Sequence, residues 1–153
     1  MLEIKPVEEN EVMLAIYMFN NAFATQTIRE NRELQELFKK ERPERNAGVV
    51  EDYNNGNLEI YGLYEDTVMI GTIILHGDLV RHLAVDSQHQ HKGYGAMLLK
   101  HVIDEAKKKG VEVLKVEAVG RNAPFYEKCG FKVVSEMEFT RYPHVKMELN
   151  LKA

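Results

Sequence analysis

Gln90-His91-Lys92-Gly93-Tyr94-Gly95 lies where an apolar strand gives way to the first turn of a helix. The first N–H groups of a helix lack intrahelical partners and sit at the positive end of its dipole, so they can hold phosphate oxygens. Gly93 and Gly95 carry no Cβ, which lets a ligand approach the backbone closely. The spacing matches neither common nucleotide loop. A Walker loop needs GxxxxGK followed by Ser or Thr, and a dinucleotide turn needs GxGxxG, whereas Gly93-Tyr94-Gly95 is followed by Ala96, Met97 and Leu98. The segment is a phosphate cradle of another kind. His89 and His91 form an H-x-H pair with no third ligand at a suitable spacing, so loop imidazoles rather than a metal site are expected. Cys129 has no neighbouring His or Asn motif to support a thiolate and reads as a packed side chain.

The elements that must hold these groups follow from periodicity. From Tyr94 the apolar residues Leu98, Leu99, Val102, Ile103 and Ala106 recur at helical spacing, and Gly110 with three preceding lysines supplies the stop. Leu79 to Val85 is the strand before this helix, and Val111 to Ala118 is the strand after it. A strand–helix–strand passage implies a parallel, right-handed crossover. Leu58–Tyr64 and Thr67–His76 flank Glu65-Asp66 as a hairpin, and Gly77-Asp78 makes the next turn. Leu2–Val7 forms a first strand. Glu8, Glu9 and Glu11 suit the start of a helix whose apolar stripe is Val12, Ile16, Phe19 and Phe23. Leu34, Leu37 and Phe38 predict a second, short helix that Pro43 ends or interrupts. Arg29, Arg32, Arg42 and Arg45 stand there among many acids and read as solvated surface rather than an anion site. Asn122–Cys129 is a short helix. Phe131–Phe139 and His144–Leu151 are the last strands, with Pro143 in the turn between them.

The predicted fold class is α/β (α+β): a mixed, mostly antiparallel sheet of about six to seven strands with one parallel pair. At 153 residues the chain suits one domain, 1–153, of a size that hides roughly 70% of its unfolded surface. Apolar residues make up 44% and charged ones 29%, the balance of an ordinary globular protein. A net charge of -4 gives no basic field for nucleic acid or anionic membrane. One cysteine excludes an intramolecular disulfide. The opening MLEIKPVEEN lacks the pattern of a secretory signal, and no apolar run approaches the roughly 18 to 20 residues of a membrane span. A cytoplasmic location is expected.

LAVDSQHQHKGYGAMLL resembles motif A of the GNAT superfamily of N-acetyltransferases, with Gln90, Gly93 and Gly95 at the defining positions of Gln/Arg-x-x-Gly-x-Gly/Ala. Ala123-Pro124-Phe125-Tyr126-Glu127-Lys128-Cys129-Gly130-Phe131 resembles the family's FYEKxGF segment. The two stand in the family's order, separated by a helix and a strand, and the resemblance covers the chain from about Leu58 onward. It implies a sheet with helices on both faces and a splayed parallel pair, with acetyl-CoA, the acyl donor, lying where strands Leu79–Val85 and Val111–Ala118 splay apart, beside Leu83, Ala84 and Val85. The pyrophosphate would meet Gln90, His91, Lys92, Gly93, Tyr94, Gly95 and Ala96, chiefly through backbone N–H groups. Lys92 adds charge to a phosphate or is simply an exposed loop lysine. The Val85 N–H would face the thioester carbonyl and stabilise the charge that builds there.

By the same resemblance Tyr126 is the catalytic phenol that gives the departing thiolate a proton or hydrogen bond, while Phe125 packs. Glu117, near the end of its strand, is either the general base or an exposed strand glutamate. The strand Leu79–Val85 offers Arg81 and His82 but no carboxylate. Arg81 could orient an anionic substrate group. Alternation places His82 with Val80 and Ala84, opposite Leu83 and Val85, as a histidine satisfied beneath a helix. Val119 stands where many family members carry Asn, so Asn122 is either a cofactor contact or the cap of its helix. The expected reaction is transfer of an acetyl group to a primary amine, of a small molecule or a peptide, in a ternary complex without metal. The rival is a CoA-binding module or sensor without transferase activity. The alternating last strand is compatible with a homodimer.

Overall fold

The computed structural model describes residues 1–28, 31–137 and 144–152. Strands β1 (Leu2–Pro6), β2 (Glu59–Glu65), β3 (Val68–His76), β4 (Leu79–Val85), β5 (Val113–Val119), β6 (Lys132–Met137) and β7 (His144–Asn150) form a sheet in the order β1-β2-β3-β4-β5-β7-β6. Every neighbouring pair is antiparallel except β4 and β5. Helices α1 (Val12–Ala22) and α2 (Arg32–Asn54) belong to one face, and α3 (Tyr94–Lys108) and α4 (Ala123–Lys128) to the other. The mixed sheet with one parallel pair and helices on both faces agrees with the fold class predicted from sequence.

The two faces have separate cores. Leu98, Leu99, Val102 and Ala106 of α3 are fully buried against Leu63, Ile73 and Leu75, and against Leu114 and Val116 of β5. Burying a leucine of this kind is worth about 2 kcal/mol. On the other face Val12, Ala15, Ile16 and Phe19 of α1 pack on Ile60, Met69, Ile74 and Ala84, joined by Val49 of α2. β3 is covered on both faces, which is why its sequence reads as a nearly continuous apolar run. Its one buried hydroxyl, Thr72, donates to the Tyr61 carbonyl at 2.8 Å.

Three local expectations need correction. The β2–β3 hairpin turns on Asp66 and Thr67, both at positive φ (49° and 76°), rather than on Glu65-Asp66. A two-residue turn of this type needs both central residues left-handed to match the strand twist. The first helix begins after a 3-10 turn over Glu9–Glu11, and past Ala22 it continues as a π-helical turn, Phe23–Thr27. The second helix is neither short nor ended by proline: α2 runs 23 residues straight through Pro43. Asn31 caps it, its side-chain oxygen accepting from the Leu34 N–H at 3.0 Å. Phe38 before the proline and Val49 after it are both buried. Close by, the Arg45 guanidinium donates to the Phe38 carbonyl at 3.3 Å. Tertiary packing therefore overrides the local helix-breaking tendency of proline. The Pro143 turn and Arg29, both assigned from sequence, lie outside the described residues.

Candidate functional site

β4 and β5 pair through only two residue couples, Leu79 with Lys115 and Val80 with Val116, and then diverge. A β-bulge shapes β4 at the same point: Ile74 pairs with His82 and Leu75 with Val80, leaving Arg81 as the extra residue. The bulge reverses the phase of the strand. Val80 joins the α3 core while Ala84 joins the α1 core, and His82 lies against Phe19 of α1 with ring centroids 5.0 Å apart. His82 therefore shares a face with Ala84, as alternation predicts, but not with Val80. It is a histidine beneath a helix, and burial together with the nearby Arg81 and Arg45 charges lowers its pKa to about 4.

Register decides where the backbone of β4 points. Val85 faces Gly71, and the Asp86 N–H donates to the Ile70 carbonyl at 2.8 Å. This is the pattern of a non-hydrogen-bonded antiparallel couple, so the N–H and C=O of Val85 turn away from β3 and toward the splay. Leu83, two residues earlier, has the same orientation. Ala84 alternates with them: its amide belongs to the β3 ladder and its side chain is buried against α1. The Val85 carbonyl accepts from the Gln90 side chain at 2.7 Å, which leaves the N–H as the polar group directed into the gap.

Beyond β4 the chain makes a 3-10 turn, Ser87–His89. His89 is held by Asp86 at 2.9 Å and by Glu65 at 3.4 Å. His91 and Gly93 then adopt positive φ, 64° and 80°. Gly93 is the N-cap of α3 and makes no side-chain cap bond. The first N–H returning to the helix is that of Met97, to the Gly93 carbonyl at 3.1 Å, so the amides of Tyr94, Gly95 and Ala96 have no intrahelical acceptor. A Cβ at Gly95 would lie 3.4 Å from the Phe125 ring, an ordinary van der Waals contact, so the head of α3 lies directly beside α4. Lys92 is exposed. Gln90 is turned inward onto the Val85 carbonyl, fastening the loop to the strand rather than reaching outward.

These groups border a cavity of about 1350 Å³ that runs from the head of α3 across the splay to α1 and α2. Leu83, Ala84, Val85, Gln90, His91, Gly95, Glu117, Asn122 and Tyr126 line it, whereas Lys92, Gly93, Tyr94 and Ala96 belong to the loop and helix start beside it. Tyr126 is buried, edge-on to Phe125 at 5.1 Å and to Phe131 at 5.7 Å. Burial pushes its phenol pKa well above the usual tyrosine value. Asn122 is not the side-chain cap it resembles: it has helical φ and ψ and makes no capping hydrogen bond. Glu117 is half-exposed on the cavity, its Oε2 3.5 Å from Nε2 of His144. Among the described residues no three His, Cys, Asp or Glu side chains converge as a metal site would require.

The sequence matches the family model of the acetyltransferase (GNAT) domain over residues 10–151. The chain belongs to the GNAT family. A curated relative, the ribosomal protein bS18 alanine N-acetyltransferase of Escherichia coli K12, is 38% identical over 65 residues, 40% of this chain and 44% of that protein. The match thus spans less than half the length of this curated relative. Among solved structures, the GCN5-related N-acetyltransferase of Rhodopseudomonas palustris superposes with a TM-score of 0.81 at 17% identity, covering 97% of this chain and 94% of that one. The PaiA N-acetyltransferase of Thermoplasma acidophilum, in complex with coenzyme A, gives 0.72 at 19% identity, covering 98% and 99%. YncA of Salmonella typhimurium, with acetyl-CoA, gives 0.72 at 22% identity, covering 100% and 95%. These likenesses establish the GNAT fold.

Sequence reasoning missed the opposite wall of the cavity. Arg45 is not solvated surface: it lies over the Phe38 ring at 3.6 Å and donates to Asn20 Oδ1 at 3.2 Å. Asn20 in turn donates to Asn46 at 2.9 Å. Arg81 pairs with Asp52 of α2 at 3.1 Å, and Arg121 donates to the Gln26 carbonyl at 3.0 Å, joining the end of β5 to the π-helical turn. The one usable signal was Asn20, an amide placed beside the apolar stripe of α1.

Proposed function

We propose that this chain transfers an acetyl group from acetyl-CoA to a primary amine by direct attack in a ternary complex, with residues 1–153 acting as one catalytic unit. The observation that carries the reading is the opening between β4 and β5, into which the Val85 N–H is directed by register, with the buried Tyr126 and the head of α3 on the same cavity. The fit to acetyl-CoA is physical. Three amides without intrahelical acceptors and a left-handed Gly93 form an anion cradle for a pyrophosphate. His91, Gly95 and Ala96 hold it, Lys92 adds charge, and Gln90 fixes the loop to the strand. Leu83 and Val85 offer backbone groups to the pantetheine arm, and Asn122 borders the same cavity.

Acetyl-CoA brings an activated thioester. The Val85 N–H donates to its carbonyl oxygen as negative charge grows there, an interaction stronger in the transition state than before it. Tyr126 keeps its proton at neutral pH, since burial raises its pKa, and donates to the sulfur as the C–S bond breaks. Glu117 meets the incoming ammonium group. A cavity of about 1350 Å³ exceeds the roughly 300–1000 Å³ of a single-ligand pocket and suits two substrates side by side. The acceptor enters from the α1 and α2 side, and the likeness to the bS18 alanine N-acetyltransferase supports peptide N-termini as candidates. Among the described residues no helix is long and apolar enough to cross a membrane, and the proposed compartment is the cytoplasm.

The test is release of CoA thiol from acetyl-CoA against a panel of small primary amines, lysine peptides and peptides beginning with alanine. Amine-dependent release that Tyr126→Phe abolishes is expected. Acetyl-CoA binding without release for any amine or for water would reject transfer in favour of a binding module.

A further inference from the structure

His144 was not singled out by its sequence context, yet β7 brings it to the cavity. The β5–β7 register sets His144 opposite Val119, two residues beyond Glu117 and therefore on the same face of the sheet. Its Nε2 lies 3.5 Å from Glu117 Oε2, and both residues border the cavity that holds Tyr126 and the Val85 N–H. The imidazole is 15% exposed and the carboxylate 49%. The carboxylate is thus the member of the pair open to an incoming acceptor, and the imidazole stands behind it.

We infer that His144 is a positioning residue for Glu117, and that the two act as one proton acceptor for the amine. This rests on the acetyl-transfer reading. An isolated carboxylate, with an ordinary pKa near 4.3, is a weak base at neutral pH, whereas an imidazole near 6.5 is well matched. With Nε2 and Oε2 3.5 Å apart, a proton taken by the carboxylate can be relayed to the imidazole behind it. The other titratable groups on the cavity are differently engaged. Arg81 and Arg45 are cations held by Asp52 and by Asn20, and Arg121 donates to the Gln26 carbonyl. His82 on β4 lies tilted against Phe19, His91 belongs to the loop before α3 and Glu41 to α2, and Tyr126 of α4 remains a phenol. Around β5 and β7, Lys146 stands across from Glu117 in the register and Glu136 of β6 across from Val145, next to His144.

The protons balance. An acceptor arriving as an ammonium gives one proton to the Glu117–His144 pair, which passes it to water. The freed lone pair forms the C–N bond, the nitrogen gives up a second proton to the pair, and the C–S bond breaks. Tyr126 supplies one proton to the thiolate and is resupplied through water. The products are amide, CoA thiol and one proton released.

The experiment is the pH profile of thiol release from acetyl-CoA, with water alone and with the best amine of the panel, for wild type, Glu117→Gln, His144→Gln and the double variant. Circular dichroism and the thermal shift with CoA check that each variant is folded and binds. Each single variant is expected to lose about tenfold or more of the rate and to move the acid limb of the profile to lower pH. The double variant is expected to lose no more than the worse single one. A His144→Gln profile that overlays wild type, or losses that multiply in the double variant, would overturn the pairing. Wild type that binds acetyl-CoA yet releases no thiol would instead break the transfer reading on which the pairing depends.

Discussion

The cavity has two walls made by different means. On the β4, α3 and α4 side the polar groups are backbone amides, aimed by register at Val85 and by the left-handed Gly93 at the helix head. On the α1 and α2 side they are side chains brought together from far apart: Asn20 to Asn46, Arg45 to Asn20, and Arg81 to Asp52, between 25 and 29 residues apart along the chain. A wall of backbone donors can serve any chain that keeps the local conformation, so it suits a donor molecule shared by many reactions. A wall of side chains changes with each substitution, so it suits the acceptor, which differs between enzymes.

Substitutions can break that contrast. The largest effect is expected at the junction of the walls: Tyr126→Phe should lower turnover by about 100-fold or more while leaving the thermal shift with acetyl-CoA intact. Equal loss of turnover and of binding would make Tyr126 a packing residue. Next is Gly93→Val on the backbone wall, where a β-branched residue must adopt a φ of 80°. The strain should cost about 1–2 kcal/mol and weaken acetyl-CoA binding by up to about tenfold, read by calorimetry. Arg45→Met on the side-chain wall removes the donor to Asn20 and to the Phe38 carbonyl. It should lower stability by about 1–2 kcal/mol and raise the KM for the amine, with acetyl-CoA affinity unchanged. If it weakened acetyl-CoA instead, the division of labour between the walls would fail.

The effect that is smallest at neutral pH is a slope that opens as the pH falls. His82 titrates at about 4 in the folded chain against 6.5 when unperturbed. Between those values only the unfolded chain binds the proton, so stability is full above pH 6.5 and falls as the pH drops toward 4, by at most about 1.4 kcal/mol per pH unit. Urea midpoints from pH 7 to 5 should decline less in His82→Gln than in wild type. Identical slopes would remove His82 from the balance.

The same contrast explains what the sequence made legible. Gln90, Gly93 and Gly95 are close together, and a helix start with unpaired amides is a local property, so the backbone wall could be read residue by residue. All seven strands were legible from alternation and turn residues, to within one or two residues where both ends lie in the described part of the chain. The phase of β4 was not, because a bulge at Arg81 is a pairing event with no sequence period of its own. α2 was misread because Pro43 is a local signal, while burial of Phe38 and Val49 is a tertiary one. Arg45 looked like a solvated charge for the same reason: its partners Asn20 and the Phe38 ring come from packing. His144 escaped notice because only the β5–β7 register sets it beside Glu117.

The central claim is that the splay of β4 and β5, with the head of α3, is built for a CoA thioester, and thermal unfolding tests it most directly. A ligand at 100 times its dissociation constant stabilises by about 2.7 kcal/mol, or about 5 to 10 °C for a domain of this size. Acetyl-CoA and CoA are expected to raise the midpoint by that amount, and ATP and NAD to leave it unmoved. A midpoint indifferent to saturating CoA, or raised equally by ATP or NAD, would contradict the assignment of this cavity.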